Sequence, residues 1–256
     1  MASATDPREA PAHGFIGGKL YVAGCLGSLS GVDRKLEIYD PRTDRWTVGA
    51  NMPTAYGASG SAVLGDKLYV VGGCYALDCA GVTDIQVYDP HADSWSKAAP
   101  YPKRITWTAC GAIAGKPYCA GGIAGNNPVK HAYVYDPGTN SWSPIADLPN
   151  TTWGAAYSAA NGQLLVGGGV NSGAIGRPAL TNQGYAYNPW TTPGPRCPTP
   201  TSPCTAARGR SGSTWPAVCR ATSCSPRRSA TCPSCPARPT TPRRPTSTGS
   251  PRLPSQ

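Results

Sequence analysis

Acidic residues run out before the chain does. Asp and Glu total 13, all before residue 148, and only Glu9 and Glu37 are glutamates. Histidine occurs three times (His13, His91, His131) and phenylalanine once (Phe15). A catalytic constellation needs convergent acids, bases, nucleophiles or metal ligands, and that supply is thin here. No run approaches 18 apolar residues, which excludes a membrane-spanning helix. The first fourteen residues, MASATDPREAPAHG, lack an apolar core of signal-peptide length. That leaves a cytoplasmic chain, or one whose natural start lies upstream of Met1. No stretch carries apolar residues at helical period.

The shortage of acids is local. Residues 1–190 hold thirteen Lys and Arg against thirteen Asp and Glu, a balance of zero. Residues 191–256 hold ten Arg and no Lys, Asp or Glu, so the whole net charge of +10 sits there. The same segment has fourteen of the 28 prolines and six of the eleven cysteines, but no Tyr, Phe or Ile. Such a composition cannot bury enough apolar surface to offset its chain entropy, and residues 191–256 are expected to be a disordered tail.

What is present in the first part is a repeat. IYDPRTDRW (38–46), VYDPHADSW (87–95) and VYDPGTNSW (134–142) place a Trp (Trp46, Trp95, Trp142) seven residues after a Tyr (Tyr39, Tyr88, Tyr135). Tyr187 opens a weaker fourth copy, YAYNP. In step with these run KLYVAGC (19–25), KLYVVGG (67–73), KPYCAGG (116–122) and QLLVGGG (163–169). Each follows a tight turn signal, the mark of a β-hairpin. One unit reads as strand A (57–64), strand B (67–71), a loop, strand C (85–88), the DPHAD turn and strand D with Trp95. The pairs Gly72-Gly73, Gly121-Gly122 and Gly168-Gly169 end strand B where positive φ or close packing is needed. Tyr and Trp supply large faces between neighbouring sheets. Four-stranded units of about 50 residues predict an all-β β-propeller, with units at 14–50, 51–100, 101–147 and 148–190 after a ragged start at 1–13.

At these residues the chain resembles the kelch repeat family, over about 14–190. The strings WTACGAIAGKPYCAGG and TNQGYAYNP resemble kelch modules of secreted actinobacterial proteins, some attached to subtilisin-like peptidases. The resemblance implies a kelch-type propeller, partial because four units fall short of the usual six or seven blades and leave sheet edges exposed. The first unit departs from the pattern, with Gly24-Cys25 in place of the glycine pair and a poorly formed strand A.

Cys110 and Cys119 flank the Ala114-Gly115 turn symmetrically, so they face each other across a hairpin at a separation a disulfide accepts. Cys74 and Cys79 fall in one B–C loop and are placed so that they could close a small ring. Free buried thiols are the alternative, but the paired placement favours disulfides and hence an exported protein, with its signal on a missing N-terminal region. Cys25 has no evident partner.

The repeat stops abruptly between Pro189 and Gly194. Read in the frame displaced by two bases from the codon of Trp190, the codons of 191–194 permit Asp, then Asn or Asp, then Thr, then Trp. That Trp falls across codons 193 and 194, in the register the repeat demands. The favoured reading is therefore a frame-shifted or artificial tail. The alternative is a genuine basic tail that binds nucleic acid or acidic surfaces, although Trp215 is its only aromatic residue. Cys232 and Cys235 have zinc-like spacing without a second pair, so no metal site is assigned.

The resemblance also implies that the B–C loops (74–84, 123–132, 170–184) and the D–A loops gather on one face around a central channel. The D–A loops carry Tyr56, Trp107 and Trp153, with Lys103 and Arg104 beside Trp107. Trp107 and Trp153 occupy nearly equivalent places, either packing between blades or forming an aromatic platform for a protein or a glycan. No catalytic residue, metal site or cofactor is assigned. The expected role is a non-catalytic binding module, an accessory part of a larger exported protein. The rivals are a fragment of a sugar-acting or copper-dependent propeller enzyme, and a truncated, non-functional gene product.

Overall fold

A computed structural model of the chain describes residues 1–27, 31–75, 80–125, 127–172 and 179–191. The predicted tail lies outside these residues except for Thr191, and so do Cys79, Cys232, Cys235 and Trp215.

Four antiparallel sheets follow one another along the chain. The first contains β1 (Ala12–Ile16), β2 (Lys19–Gly27), β3 (Gly31–Asp40) and β4 (Arg45–Gly49) in sequential order. The second contains β5 (Gly60–Leu64), β6 (Lys67–Val71), β7 (Ile85–Asp89) and β8 (Ser94–Lys97). In the third region come β9 (Ala109–Ile113), β10 (Lys116–Ala120), a ribbon of β11 (Ile123–Ala124) and β12 (Asn127–Pro128), then β13 (Ala132–Asp136) and β14 (Ser141–Ile145). The fourth has β15 (Ala156–Ala160), β16 (Gln163–Gly167), a ribbon of β17 (Val170–Ser172) and β18 (Ala179–Leu180), and β19 (Gly184–Tyr187). This is an all-β arrangement of four propeller blades. Among the described residues the fourth sheet has three strands, not four.

The core lies between blades rather than within them. Tyr21, Ala23 and Leu36 of blade 1 pack with Leu68, Val70 and Tyr88 of blade 2. Val71 and Ile85 pack with Ile105 of the next linker, and Tyr118 and Ala132 with Leu164, Val166 and Tyr187. Small residues on the inner strands let neighbours close in. A Cβ on Gly14 would strike Val63 of blade 2, and one on Gly111 would lie 2.8 Å from Ala159 of blade 4. Gly72, at φ +62, meets the Ile105 carbonyl where a Cβ would stand, so this position admits no larger residue.

The Tyr–Trp motif builds the same link three times. Tyr39, Tyr88 and Tyr135 are the cross-strand partners of Trp46, Trp95 and Trp142, with ring centroids 5.1–5.2 Å apart. Each tyrosine hydroxyl donates, at 2.7 Å, to an acceptor five residues on: Asp44, Asp93 or Asn140. That same oxygen accepts the backbone N–H of Ala2, Ala50 or Ala99, and each indole N–H donates to the carbonyl of that same alanine. Each repeat thereby clamps the segment that precedes its own inner strand.

Blade 1 differs from the sequence expectation in two respects. Its inner strand is fully formed, since all five residues of β1 pair with β2. Gly14 is a poor strand former and Pro11 stands just before β1, but burial of Ala12 and Ile16 against blade 2 overrides local propensity. Nor is the start ragged. Ala2 occupies the clamp, and Arg8 reaches Glu37 in an ion pair at 3.1 Å with both side chains buried. At Cys25, β2 bulges and runs on to pair with β3, where the other blades turn away at their glycine pairs. Cys25 is a free, buried thiol whose pKa burial raises.

Candidate functional site

One residue per blade stands in the left-handed region where the chain enters the inner strand. These are Ala10 (φ +48), Ala58 (+53), Trp107 (+55) and Gly154 (+58). Three of the four carry a Cβ, at a cost of about 1–2 kcal/mol each relative to ordinary backbone. The tertiary structure enforces this geometry through a chain of backbone bonds. Ala58 N donates to Ala10 O (3.0 Å), Trp107 N to Ala58 O (2.6 Å) and Gly154 N to Trp107 O (3.4 Å). The residue before each of the last three pairs with the start of a B–C loop (Gly57 with Cys74, Thr106 with Ile123, Trp153 with Val170), while Glu9, before Ala10, pairs with Leu26 at the end of β2. The B–C loops and D–A linkers therefore do gather at one end of the inner strands.

Below this arc the channel is barred. The Tyr157 hydroxyl, from β15, accepts the backbone N–H of Ser61 on β5 at 3.2 Å and lies 3.1 Å from its hydroxyl. Ser61 Oγ in turn accepts the backbone N–H of His13 on β1, whose ring stands 6.1 Å from that of Tyr157. Blades 1, 2 and 4 thus meet at one tyrosine, whose phenol burial pushes to a higher pKa. Above the bar opens a cavity of about 250 Å³ walled by Pro11, Ala58, Trp107, Thr108 and Ala155. Below lies another of about 340 Å³, lined by Phe15, Val63, Ala112 and Ala159. The upper lining contains no Asp, Glu, Lys or Arg. It offers shape, hydroxyls and backbone rather than charge.

Of the predicted binding residues, the structure joins two. The rings of Trp107 and Trp153 meet edge to face at 6.0 Å. Trp153 is 7% exposed and packs on Ile123 and Val170. Trp107 is half-buried and spans from that cluster to the one around Leu26, Ala58 and Cys74. Both indole N–H groups are buried without a hydrogen-bond partner. The two tryptophans are one residue out of step, because Trp107 matches Gly154 whereas Trp153 matches Thr106. They do not form a shared exposed platform. Tyr56 is buried, with its hydroxyl donating to Asp84 at 2.8 Å, so it is a strut and presents no binding face. Burial, followed by that hydrogen bond, pushes its pKa to about 12. Lys103 and Arg104 are exposed on the linker before Trp107.

Tyr157, Ser61, Ala10 and the Arg8–Glu37 pair were not singled out from the sequence. The 48-, 49- and 47-residue spacing of Ala10, Ala58, Trp107 and Gly154 was available, but alanine gives no sign of positive φ. The remaining chemistry is dispersed. His91 lies in the β7–β8 turn and His131 is 3.5 Å from Asp147. Among the described residues no three His, Cys, Asp or Glu converge. Cys110 and Cys119 are paired residues of β9 and β10 and form a disulfide, Cα–Cα 4.2 Å. Cys74 is also disulfide-bonded, while Cys79, its expected partner, is outside the described residues.

Comparison with known proteins agrees with the repeat. Residues 7–53, 56–100 and 108–149, just over half of the chain, match the kelch motif. Human Kelch-like protein 25 is 41% identical over 81 residues, which is 32% of this chain and 13% of that protein. Human Kelch-like protein 5 is 55% identical over 38 residues, 15% of this chain and 5% of that protein. The matched stretches are thus a small part of the length of either relative. The solved structure of YjhT shares the fold, with a TM-score of 0.58 at 22% identity over 64% of this chain and 60% of that one. A tyrosine, an Asp or Asn and a tryptophan set the same inter-blade clamp three times within the matched stretches, and the chain belongs to the kelch-motif family.

Proposed function

We propose that this chain is a non-catalytic recognition module that holds a segment of a partner protein at the channel mouth. The observation that carries this is the cavity over the Tyr157 bar. It is small, free of Asp, Glu, Lys and Arg, and walled by Trp107, and its floor is hydrogen-bonded in place before anything binds. At about 250 Å³ it lies below the usual range for a drug-sized ligand and suits one side chain of a larger partner. Half-buried aromatic residues in such settings anchor partners. The Cys110–Cys119 disulfide supports an accessory role in an exported protein, because such bonds persist in oxidising compartments.

The test is selection of a random dodecapeptide library on the disulfide-intact protein, with binding of the recovered peptides then measured on Trp107→Ala. Recovery of peptides whose affinity falls at least tenfold on that variant is the expected result. No recovered peptide, or peptides indifferent to Trp107, overturns the reading. Binding of an oligosaccharide array in place of peptides would transfer the site to a glycan partner.

A further inference from the structure

The backbone arc at the channel mouth is open by its own pattern. Each link runs from the N–H of a later blade to the C=O of the one before, through Ala10, Ala58, Trp107 and Gly154. Two groups are left over: the N–H of Ala10, which by that pattern faces away from blade 2, and the C=O of Gly154, which faces away from blade 3. No hydrogen bond to either occurs among the described residues. Both residues line the 250 Å³ cavity, and beneath them His13 and Tyr157 bring blades 1 and 4 within ring contact. Two residues with an unused main-chain donor or acceptor therefore line one small cavity that has no Asp, Glu, Lys or Arg.

We propose that a bound peptide closes this arc with its own backbone, giving a carbonyl to Ala10 N–H and an N–H to Gly154 O. The side chain of the intervening residue enters the cavity between Trp107, Ala58 and Ala155. This deepens the reading above and rests on it. Backbone pairing supplies affinity without sequence demand, and the pocket supplies the choice of side chain, as in other modes of peptide capture by main-chain bonds. The walls select an uncharged residue at that one position, since they hold no Asp, Glu, Lys or Arg to pair with a buried charge.

The tightest peptide from the dodecapeptide selection is the probe. Its backbone is N-methylated one residue at a time, and amide exchange is followed on the uniformly ¹⁵N-labelled chain. The expected result is a single N-methyl position that weakens binding at least tenfold, together with at least tenfold slower exchange of the Ala10 amide in the complex. A peptide that loses affinity on Trp107→Ala, yet tolerates every N-methyl group and leaves Ala10 exchange unchanged, overturns backbone closure while the recognition site stands. Failure to recover any peptide overturns both. Ala10 exchange that is already slow without peptide, and slows further with protein concentration, would show a second copy closing the arc and would likewise overturn the proposal.

Discussion

The hydroxyl of Tyr157 accepts the backbone N–H of Ser61 at 3.2 Å, joining residues 96 positions apart across the channel. No other side chain among the described residues ties blade 4 to blade 2 by a hydrogen bond. Tyr157→Phe removes the acceptor of the Ser61 N–H in a part-buried site bordered by both cavities. The expected cost is about 0.5–1.5 kcal/mol, or a fall of a few degrees in Tm. A thermal melt of the variant checks this. An unchanged Tm would mean that the bar contributes nothing to the fold.

Arg8 and Glu37 form the most buried ion pair among the described residues, with side-chain exposures of 5% and 1%. Glu37 also accepts the backbone N–H of Thr5, and Arg8 donates to the carbonyls of Gly24 and Lys35. Arg8→Ala removes the nearest cation from a buried carboxylate, which keeps Lys35 at 3.8 Å and the Thr5 donors, and should destabilise by about 3 kcal/mol. Replacing both by Met should recover most of that loss, since the penalty comes from a buried charge that has lost its nearest partner. Urea titration of both variants separates the two.

Asp93 accepts from Ala50 N–H and from the Tyr88 hydroxyl, and these bonds hold its carboxyl below the ordinary carboxylate range. A carboxylate depressed in the folded state stabilises above its unfolded pKa, and that contribution fades as pH falls through the folded value. The third clamp uses Asn140 for the same two bonds. Asp93→Asn is therefore expected to match the parent near neutral pH and to lose less stability below about pH 4. Melting curves from about pH 3 to pH 7 test it. A variant with the parent's acid sensitivity would assign that sensitivity to other carboxylates.

Cys110 and Cys119 close a loop with a sequence separation of 9. For a loop this short, chain-entropy arguments put the stabilisation on the order of 2–3 kcal/mol. Reductant should lower the Tm of the parent more than that of a Cys110→Ala/Cys119→Ala variant, which keeps the bond at Cys74. Equal shifts in the two proteins would show that the hairpin disulfide is energetically silent.

The fourth clamp tests the reading of the tail. Ala146 stands four residues after Trp142, as Ala50 and Ala99 stand after Trp46 and Trp95. The residues due to grip it, five and seven positions after Tyr187, are Thr192 and Gly194, which lie outside the described residues and supply neither carboxamide nor indole. Substituting Asp-Asn-Thr-Trp at 191–194, as the displaced frame permits, places Asn and Trp at those positions. The altered chain should melt at a higher temperature than the parent. No gain would detach the tail from the repeat and favour a genuine basic segment.

Sequence alone determined the unit of the fold. Tyr39, Tyr88 and Tyr135 with their tryptophans, and the glycine pairs after strand B, are local requirements of turn and hairpin that any alignment of the repeat exposes. The Cys110–Cys119 pairing was legible for the same reason, because symmetry about a two-residue turn dictates cross-strand partners. The tertiary structure decided what happens where blades meet. Ala10 and Ala58 carry no propensity for positive φ and adopt it because the next blade's N–H reaches their carbonyls. Tyr56 and Trp107 are both aromatic residues of D–A linkers, yet one is a buried strut and the other a cavity wall. Tyr157 belongs to no motif, and only the radial packing of four inner strands brings it to Ser61.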